Sequence, residues 1–178
     1  VMDPRNFLDT TNIFQFQKLN TTVGTSKDEI RKILQMQKVI YLQNDESSIE
    51  AFTNVAQKNK LNAYHLITRV IQEPGRTGTS PLCSGEKYVG TDGNTYEGYY
   101  NLFNIGATGS GSANVITNGF IRAKQEGWTS MAASINGGGN FVGEAYIDVG
   151  QNTLYLQKFC VYNKNGNLYW HQYMTNLL

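Results

Sequence analysis

The chain has 178 residues, 40% apolar and 16% charged, the size of one domain able to bury roughly 70% of the surface its unfolded form exposes. Lys and Arg number 15 against 14 Asp and Glu, a formal charge of +1, with no basic stripe to track phosphates, so nucleic acid is not an expected partner. Cys83, Cys160, His65 and His171 stand alone without metal-ligand spacing, and no apolar run approaches membrane-spanning length.

Residues 1–25 read as an N-terminal arm. Asp3-Pro4 starts a turn or a helix, and Phe7, Leu8, Ile13, Phe14 and Phe16 are expected to anchor the arm on the body. No cleavable-signal pattern is visible there, and a mature or excised domain would share that feature. Ser26 and Glu29 form a capping-box pair before an apolar-periodic run. Ile30, Ile33, Leu34, Gln37, Ile40 and Tyr41 share one face of the helix this predicts. A second pair, Ser47 and Glu50, predicts a helix with Ile49, Phe52 and Ala56 inward. Asn62 is the expected cap of a third, carrying Tyr64, Leu66, Ile67, Val70 and Ile71. That helix is apolar over most of its circumference and is therefore expected to be central.

Pro74 and Gly75 stop the third helix. From Gly85 to Tyr100 the chain reads GEKYVGTDGNTYEGYY, in which Asp92-Gly93 is a two-residue hairpin signal flanked by strand-forming Tyr88, Val89, Thr95 and Tyr96. Helical periodicity returns at Val115, Ile116, Gly119, Phe120 and Ala123, and again from Ser130 through Met131, Ile135, Phe141 and Val142. Gly137-Gly138-Gly139 interrupts that last stretch, through a tight turn or a close helix contact. No internal repeat and no low-complexity linker is present. The expectation is one compact unit over 1–178, mainly helical with a small hairpin lobe. The two cysteines make one disulfide or, as we expect, two buried free thiols. Eleven tyrosines and many amides suit a neutral, hydroxyl-rich ligand: aromatic faces stack on a sugar ring while amides bond its hydroxyls.

Glu73 lies where the buried helix ends, three residues past Val70 and seven past Leu66, on their inward side. Partial burial and the negative end of the helix dipole both disfavour a carboxylate there. A carboxyl group that keeps its proton near neutral pH can protonate a glycosidic oxygen, and lysozyme tunes its acidic glutamate by burial in this way. The plainer reading is a helix-end charge reaching water.

Glu73-Pro-Gly is followed by Gly78-Thr79-Ser80, 100-YNLFNIGA-107, 124-KQEGW-128, 136-NGGGNFVGEAYI-147, 150-GQNTLYLQKF-159 and 171-HQYMTN-176. In order and content these resemble the glucosaminidase family of bacterial cell-wall hydrolases, glycoside hydrolase family 73, over nearly the whole chain. The opening 2-MDPRNFL-8 is similar to the start of clostridial-type members. The resemblance implies a mainly α, lysozyme-like α+β domain with a helical body and a small β-hairpin lobe flanking a groove. It implies cleavage of the β-1,4 bond on the reducing side of N-acetylglucosamine in peptidoglycan, without a metal or organic cofactor. A secreted, cell wall-associated monomer of a Gram-positive bacterium, acting on glycan strands and not on nucleic acid or membrane, fits that implication.

The family's Glu-Ser-Gly-x-Gly-Thr-Ser pattern maps its catalytic glutamate onto Glu73. Pro74 replaces the serine here, and one additional residue lies between Gly75 and Gly78. The second catalytic group is open among Glu97, Glu86 and Asp92 of the hairpin lobe, with Glu97 preferred. Glu126, the first carboxylate after Ile105, is expected on a surface helix. A retaining route needs the two carboxyls about 5 Å apart and an inverting one about 6.5–9.5 Å; with neither, the substrate's own N-acetyl carbonyl can attack. Tyr173 matches a family tyrosine facing the groove and would orient that acetamido group, or is a half-buried core residue. Asn101, Phe103 and Ser80 are candidate sugar contacts, and Tyr96, Tyr99 and Tyr100 candidate stacking platforms on the hairpin rim. Leu102, Ile105 and Trp128 read as core, and Gln151 and Thr153 as loop-fixing residues. The competing readings are a muramidase or lytic transglycosylase using the same acid, and a wall-binding module without catalysis.

Overall fold

The structure, a computed structural model, describes residues 13–22 and 24–173. The expectations for Asp3-Pro4, Phe7, Leu8 and the 2-MDPRNFL-8 segment, and for the last three residues of 171-HQYMTN-176, lie outside the described residues. Packing divides the chain into two compact units, Thr22–Asn140 and Val1–Thr21 with Phe141–Leu178.

The larger unit is built on three helices, α1 (Lys27–Met36), α2 (Glu46–Lys58) and α3 (Ala63–Gln72), packed on one another. Ser26 caps α1 as expected: its Oγ accepts from the Glu29 N–H, and the Glu29 carboxylate accepts from the Ser26 N–H, both at 3.2 Å. The Ser26 hydroxyl, which also donates to that carboxylate at 2.6 Å, and then the Ser26 N–H hold the Glu29 carboxyl below its ordinary range. Asn62 caps α3, accepting from the Tyr64 N–H at 2.9 Å. The predicted cap of α2 falls two residues late. Asp45 is the N-cap, and Ser47 donates to its carboxylate at 2.7 Å.

The α1 helix also ends earlier than its apolar periodicity suggests. Lys38 takes the left-handed conformation at φ 54°, and the N–H groups of Lys38 and Val39 close back on the carbonyls of Gln35 and Leu34 at 3.0 and 2.9 Å. This is a Schellman stop made without glycine. Ile40 and Tyr41 thus leave the helix for the following loop. α2 ends alike, with Lys60 at φ 51° and Leu61 N–H on the Ala56 carbonyl at 2.8 Å. Ile30, Leu34, Ile49, Phe52, Leu66 and Val70 fill the space between the three helices, and α3 carries six buried residues in ten, as its all-round apolarity requires.

A short helix, α4 (Pro81–Ser84), leads into the hairpin β1 (Tyr88–Val89) and β2 (Thr95–Tyr96), paired antiparallel with Tyr88 opposite Tyr96 and Val89 opposite Thr95. The connection is residues 90–94 rather than a bare two-residue turn. Gly90 N–H reaches the Asn94 carbonyl at 2.9 Å, and Asp92 accepts from the Asn94 N–H at 3.1 Å. The hairpin's inner face packs on α5 (Ser112–Glu126), with Tyr88 and Tyr96 stacked on Phe120 at ring separations of 5.2 and 5.3 Å. α6 (Met131–Val142) follows. Its three glycines stay helical and act as contact points: Cβ atoms on Gly137, Gly138 and Gly139 would collide with Trp128, Phe103 and Val55. Close helix contact, not a turn, is therefore the reason for the glycine run.

In the second unit, a π-helical turn (Gly143–Ile147) precedes α7 (Leu154–Phe159), which Thr153 caps by accepting from the Leu156 N–H at 3.1 Å. The 3₁₀ turn Ile13–Phe16 of the N-terminal arm packs on α7, with Phe16 and Tyr155 rings 5.1 Å apart. Gln151 is fully buried, its carbonyl accepting from Gln157 and its amide donating to the His171 carbonyl, each at 3.0 Å. Both cysteines are free and buried. Among the described residues no helix is long and apolar enough to cross a membrane, and no group of three or more His, Cys, Asp or Glu is placed to hold a metal.

Candidate active site

Glu73 is the C-cap of α3, its N–H bonded to the Arg69 carbonyl at 2.9 Å. Its side chain is half-buried, not projected into bulk water. Pro74 and then Gly75, at φ 85°, turn the chain away from the helix axis. This follows from their chemistry, since proline removes a donor and glycine accepts a left-handed backbone.

The loop from Gly75 to Ser80 is held by the segment that α1 releases. Tyr41 donates its hydroxyl to the Gly75 carbonyl at 3.2 Å, and its ring lies against Gly78 so closely that a Cβ there would meet it at 2.6 Å. The Ile40 N–H reaches the Arg76 carbonyl at 3.1 Å, and Arg76 bonds the Gln37 side chain at 3.2 Å. Burial pushes the Tyr41 hydroxyl well above its ordinary range and the neighbouring Cys83 thiol up to about 12. Both stay neutral, a structural contact rather than a nucleophile.

The segment 101–107 approaches Glu73 from the other side. Asn101 is fully buried and braces it: its amide donates to the carbonyls of Ile105 and Gly119 at 2.9 and 3.0 Å, and its oxygen accepts from the Ile105 N–H at 3.0 Å. Leu102 hangs its N–H on Ser134 at 2.9 Å, and Phe103 is buried against Gly138. Between these anchors Asn104, at φ 49°, donates its side-chain amide to the Glu73 carboxylate at 3.1 Å. Asn104 belongs to the YNLFNIGA motif, but nothing in its residue type or spacing assigns it this contact.

A cleft of about 360 Å³ opens between the loop after Glu73 and the hairpin lobe, walled by Gly78, Thr79, Ser84, Glu86, Lys87 and Tyr88. Glu73 itself does not line this cleft. Glu86 lies on its wall, and Glu97 is exposed just past β2. Asp92 is spent in the turn, accepting from Tyr96 at 2.6 Å and from the Asn94 amide at 2.8 Å. Those bonds hold its carboxyl below the ordinary range. Glu126 pairs with Arg122 on α5 at 2.9 Å, as expected for a surface helix.

Several expected sugar contacts have structural duties instead. Tyr96 is 2% exposed, sandwiched on Phe120, and so is not on the rim; burial and then the Asp92 bond push its hydroxyl up to about 12. Asn101 has its hydrogen bonds satisfied internally, and Phe103 is core, so neither has a face for substrate. Ser80 caps α4, accepting from the Leu82 N–H at 3.4 Å. Tyr99 and Tyr100 are half-buried, Tyr99 against the Leu82–Tyr96–Phe120 cluster and Tyr100 against Gly85. Trp128 is core, as expected. In the second unit, Tyr173 is half-buried, with its N–H on the Gln157 carbonyl at 2.8 Å and its ring edge-on to Tyr146 at 6.2 Å.

No family model matches the chain. A bifunctional autolysin of Staphylococcus epidermidis is 32% identical over 179 residues, covering 99% of this chain and 12% of the relative. The chain thus spans about an eighth of the length of the curated relatives it matches. The crystal structure of S. aureus glucosaminidase B is similar at TM-score 0.68 and 28% identity, covering 98% of this chain and 63% of that one. A catalytic glutamate-to-alanine mutant of S. aureus autolysin E, solved in complex with the disaccharide NAG-NAM, is similar at TM-score 0.66 and 25% identity, covering 92% and 65%.

Proposed function

Because the chain belongs to the glucosaminidase family of cell-wall hydrolases, glycoside hydrolase family 73, we propose that it is an endo-acting N-acetylglucosaminidase of peptidoglycan with Glu73 as general acid. One observation carries the assignment. The carboxylate that ends the central helix is half-buried and held by a hydrogen bond from the Asn104 amide. That arrangement holds one oxygen pair steady. Support for the substrate comes from the NAG-NAM complex of a structural neighbour.

Glu73 gives its proton to the glycosidic oxygen, which leaves as a hydroxyl of N-acetylmuramic acid. The N-acetylglucosamine anomeric carbon takes a water hydroxyl in its place, and the water's remaining proton returns to the enzyme. Glu97 is our assignment for the second carboxylate. The substrate's N-acetyl carbonyl is the alternative attacking group. Ser80, Tyr99 and Tyr100 keep part of their surface exposed beside their structural duties, and that part is assigned to further sugar contacts. The chain acts on glycan strands as a monomer, secreted to the wall.

Digestion of purified peptidoglycan followed by mass spectrometry of the fragments tests this reading. Fragments ending in reducing N-acetylglucosamine are expected. A reducing or anhydro-muramic end would reassign the bond to a muramidase or lytic transglycosylase, and no released fragment at all would leave a wall-binding module.

A further inference from the structure

Resting on the assignment of Glu73 as the acid, we propose that Asn104 is its positioning residue and serves it in both protonation states by turning its amide over. Four observations combine. Asn104 sits at φ 49°, a left-handed conformation that asparagine tolerates better than most side chains. Its backbone is tied on both sides, N–H to the Asn101 carbonyl at 3.2 Å and carbonyl to the Ala107 N–H at 3.0 Å. Its neighbours Leu102, Phe103 and Ile105 are all buried anchors. So the Cα cannot drift, and a short side chain leaving it has one reachable carboxylate.

The fourth observation gives the pair its function. The amide nitrogen donates to Glu73 Oε2 at 3.1 Å, while the Asn104 Oδ1 at the other end of the same group is buried without a hydrogen-bond partner. A buried acceptor without a partner is uncommon in folded proteins. Here its consequence is that a half-turn about χ2 sacrifices no bond. With the nitrogen toward Glu73, the amide donates to the ionised carboxylate; with the oxygen toward it, the amide accepts from the carboxylic O–H. A general acid passes through both states in every cycle, losing its proton to the leaving oxygen and recovering one from water. Asn104 therefore holds the carboxyl group at one place while the proton comes and goes. An ionised aspartate could accept but not donate, and a lysine would serve only the anion.

The test compares Asn104→Gly, which keeps the left-handed backbone and removes only the amide, with Asn104→Asp, which keeps the shape but replaces the donor with a like charge. Soluble glycan-strand fragments of peptidoglycan are the substrate, and Glu73→Gln is the control. The expected result is a fall in kcat of about 10-fold or more for Asn104→Gly with KM within about twofold, because a loosened reacting group costs rate rather than binding. Asn104→Asp falls further, and the unfolding midpoint of Asn104→Gly stays near that of the parent. A wild-type kcat in Asn104→Gly, a defect confined to KM, or Asn104→Asp no worse than Asn104→Gly would each overturn the inference. If Glu73→Gln keeps its activity, the acid assignment itself is lost. If Glu73→Gln is inactive while Asn104→Gly is fully active, only the role of Asn104 is lost.

Discussion

Inside α3, His65 accepts a hydrogen bond through Nε2 from the Arg69 guanidinium at 3.1 Å, one turn along the same helix. Both residues are buried, at 7% and 5% exposure, so the imidazole must be neutral to accept. Burial first, and the nearby Arg69 charge second, push its pKa down to about 3. An unfolded chain protonates its histidines at about 6.5. As pH falls below about 6.5, the unfolded state takes up a proton that the folded state refuses, so stability drops with falling pH. The contribution is complete above that value and is lost progressively on the way down to about 3. Thermal unfolding followed from pH 7.5 to pH 4 is expected to show a falling midpoint, with a slope of at most ~1.4 kcal/mol per pH unit from this one group. His65→Gln, which offers an acceptor to Arg69 but cannot titrate, is expected to flatten that limb; an unchanged slope would show that other groups carry it.

Replacing Glu73 with glutamine keeps the size and the capping geometry but removes the transferable proton. General acid catalysis is worth about 10²–10⁴-fold, so release of muropeptides by Glu73→Gln is expected to fall by at least that range while circular dichroism stays unchanged. Turnover within a few-fold of the parent would remove Glu73 from the mechanism.

Gly138 sits in α6 against the Phe103 ring. Alanine is the better helix former by about 1 kcal/mol, yet its methyl group would have to displace that ring from a filled site. Overpacking of this kind costs about 1–3 kcal/mol, so Gly138→Ala is expected to lower the urea midpoint. Because Phe103 precedes Asn104, activity should fall as well. A more stable Gly138→Ala protein would mean that the helix preference wins and the ring moves freely.

The Tyr41 hydroxyl on the Gly75 carbonyl is a single bond tying the loop after Glu73 to the body. Tyr41→Phe keeps the ring packed on Gly78 and removes that bond together with the hydroxyl's contact to the Cys83 thiol, for an expected loss of about 0.5–1.5 kcal/mol per bond. Hydrogen exchange should speed up in the 74–80 loop and little elsewhere. If exchange rises uniformly across α1 to α3 instead, the bond supports the whole body rather than the loop.

Much of the helical body is legible in the sequence because its signals are local. Ser26 with Glu29, and Asn62 before α3, each act within three residues of their own position. Where a local signal is missing, the pattern misleads. Lys38 ends α1 in a conformation that usually asks for glycine, so nothing in the residue type announces the stop, and periodicity places Tyr41 on a helix face when it is the clamp on the Glu73 loop. Tyr96 falls on the expected rim only because the hairpin's alternation names two faces without saying which one meets α5.

By itself the sequence determined that the segments of α1, α2, α3, α5 and α6 are helical, where the carboxylate ends the central one, and which family the motifs belong to. Those properties depend on caps, periodicity and residue order, all carried by neighbours along the chain. Only the tertiary structure decided what Glu73 touches. Asn104 is 31 residues away from it, and the bond exists because a left-handed backbone, three buried anchors and the brace at Asn101 bring the amide there. A hydrogen bond acts over about 3 Å, and no pattern of residue types along a line encodes which distant groups come that close.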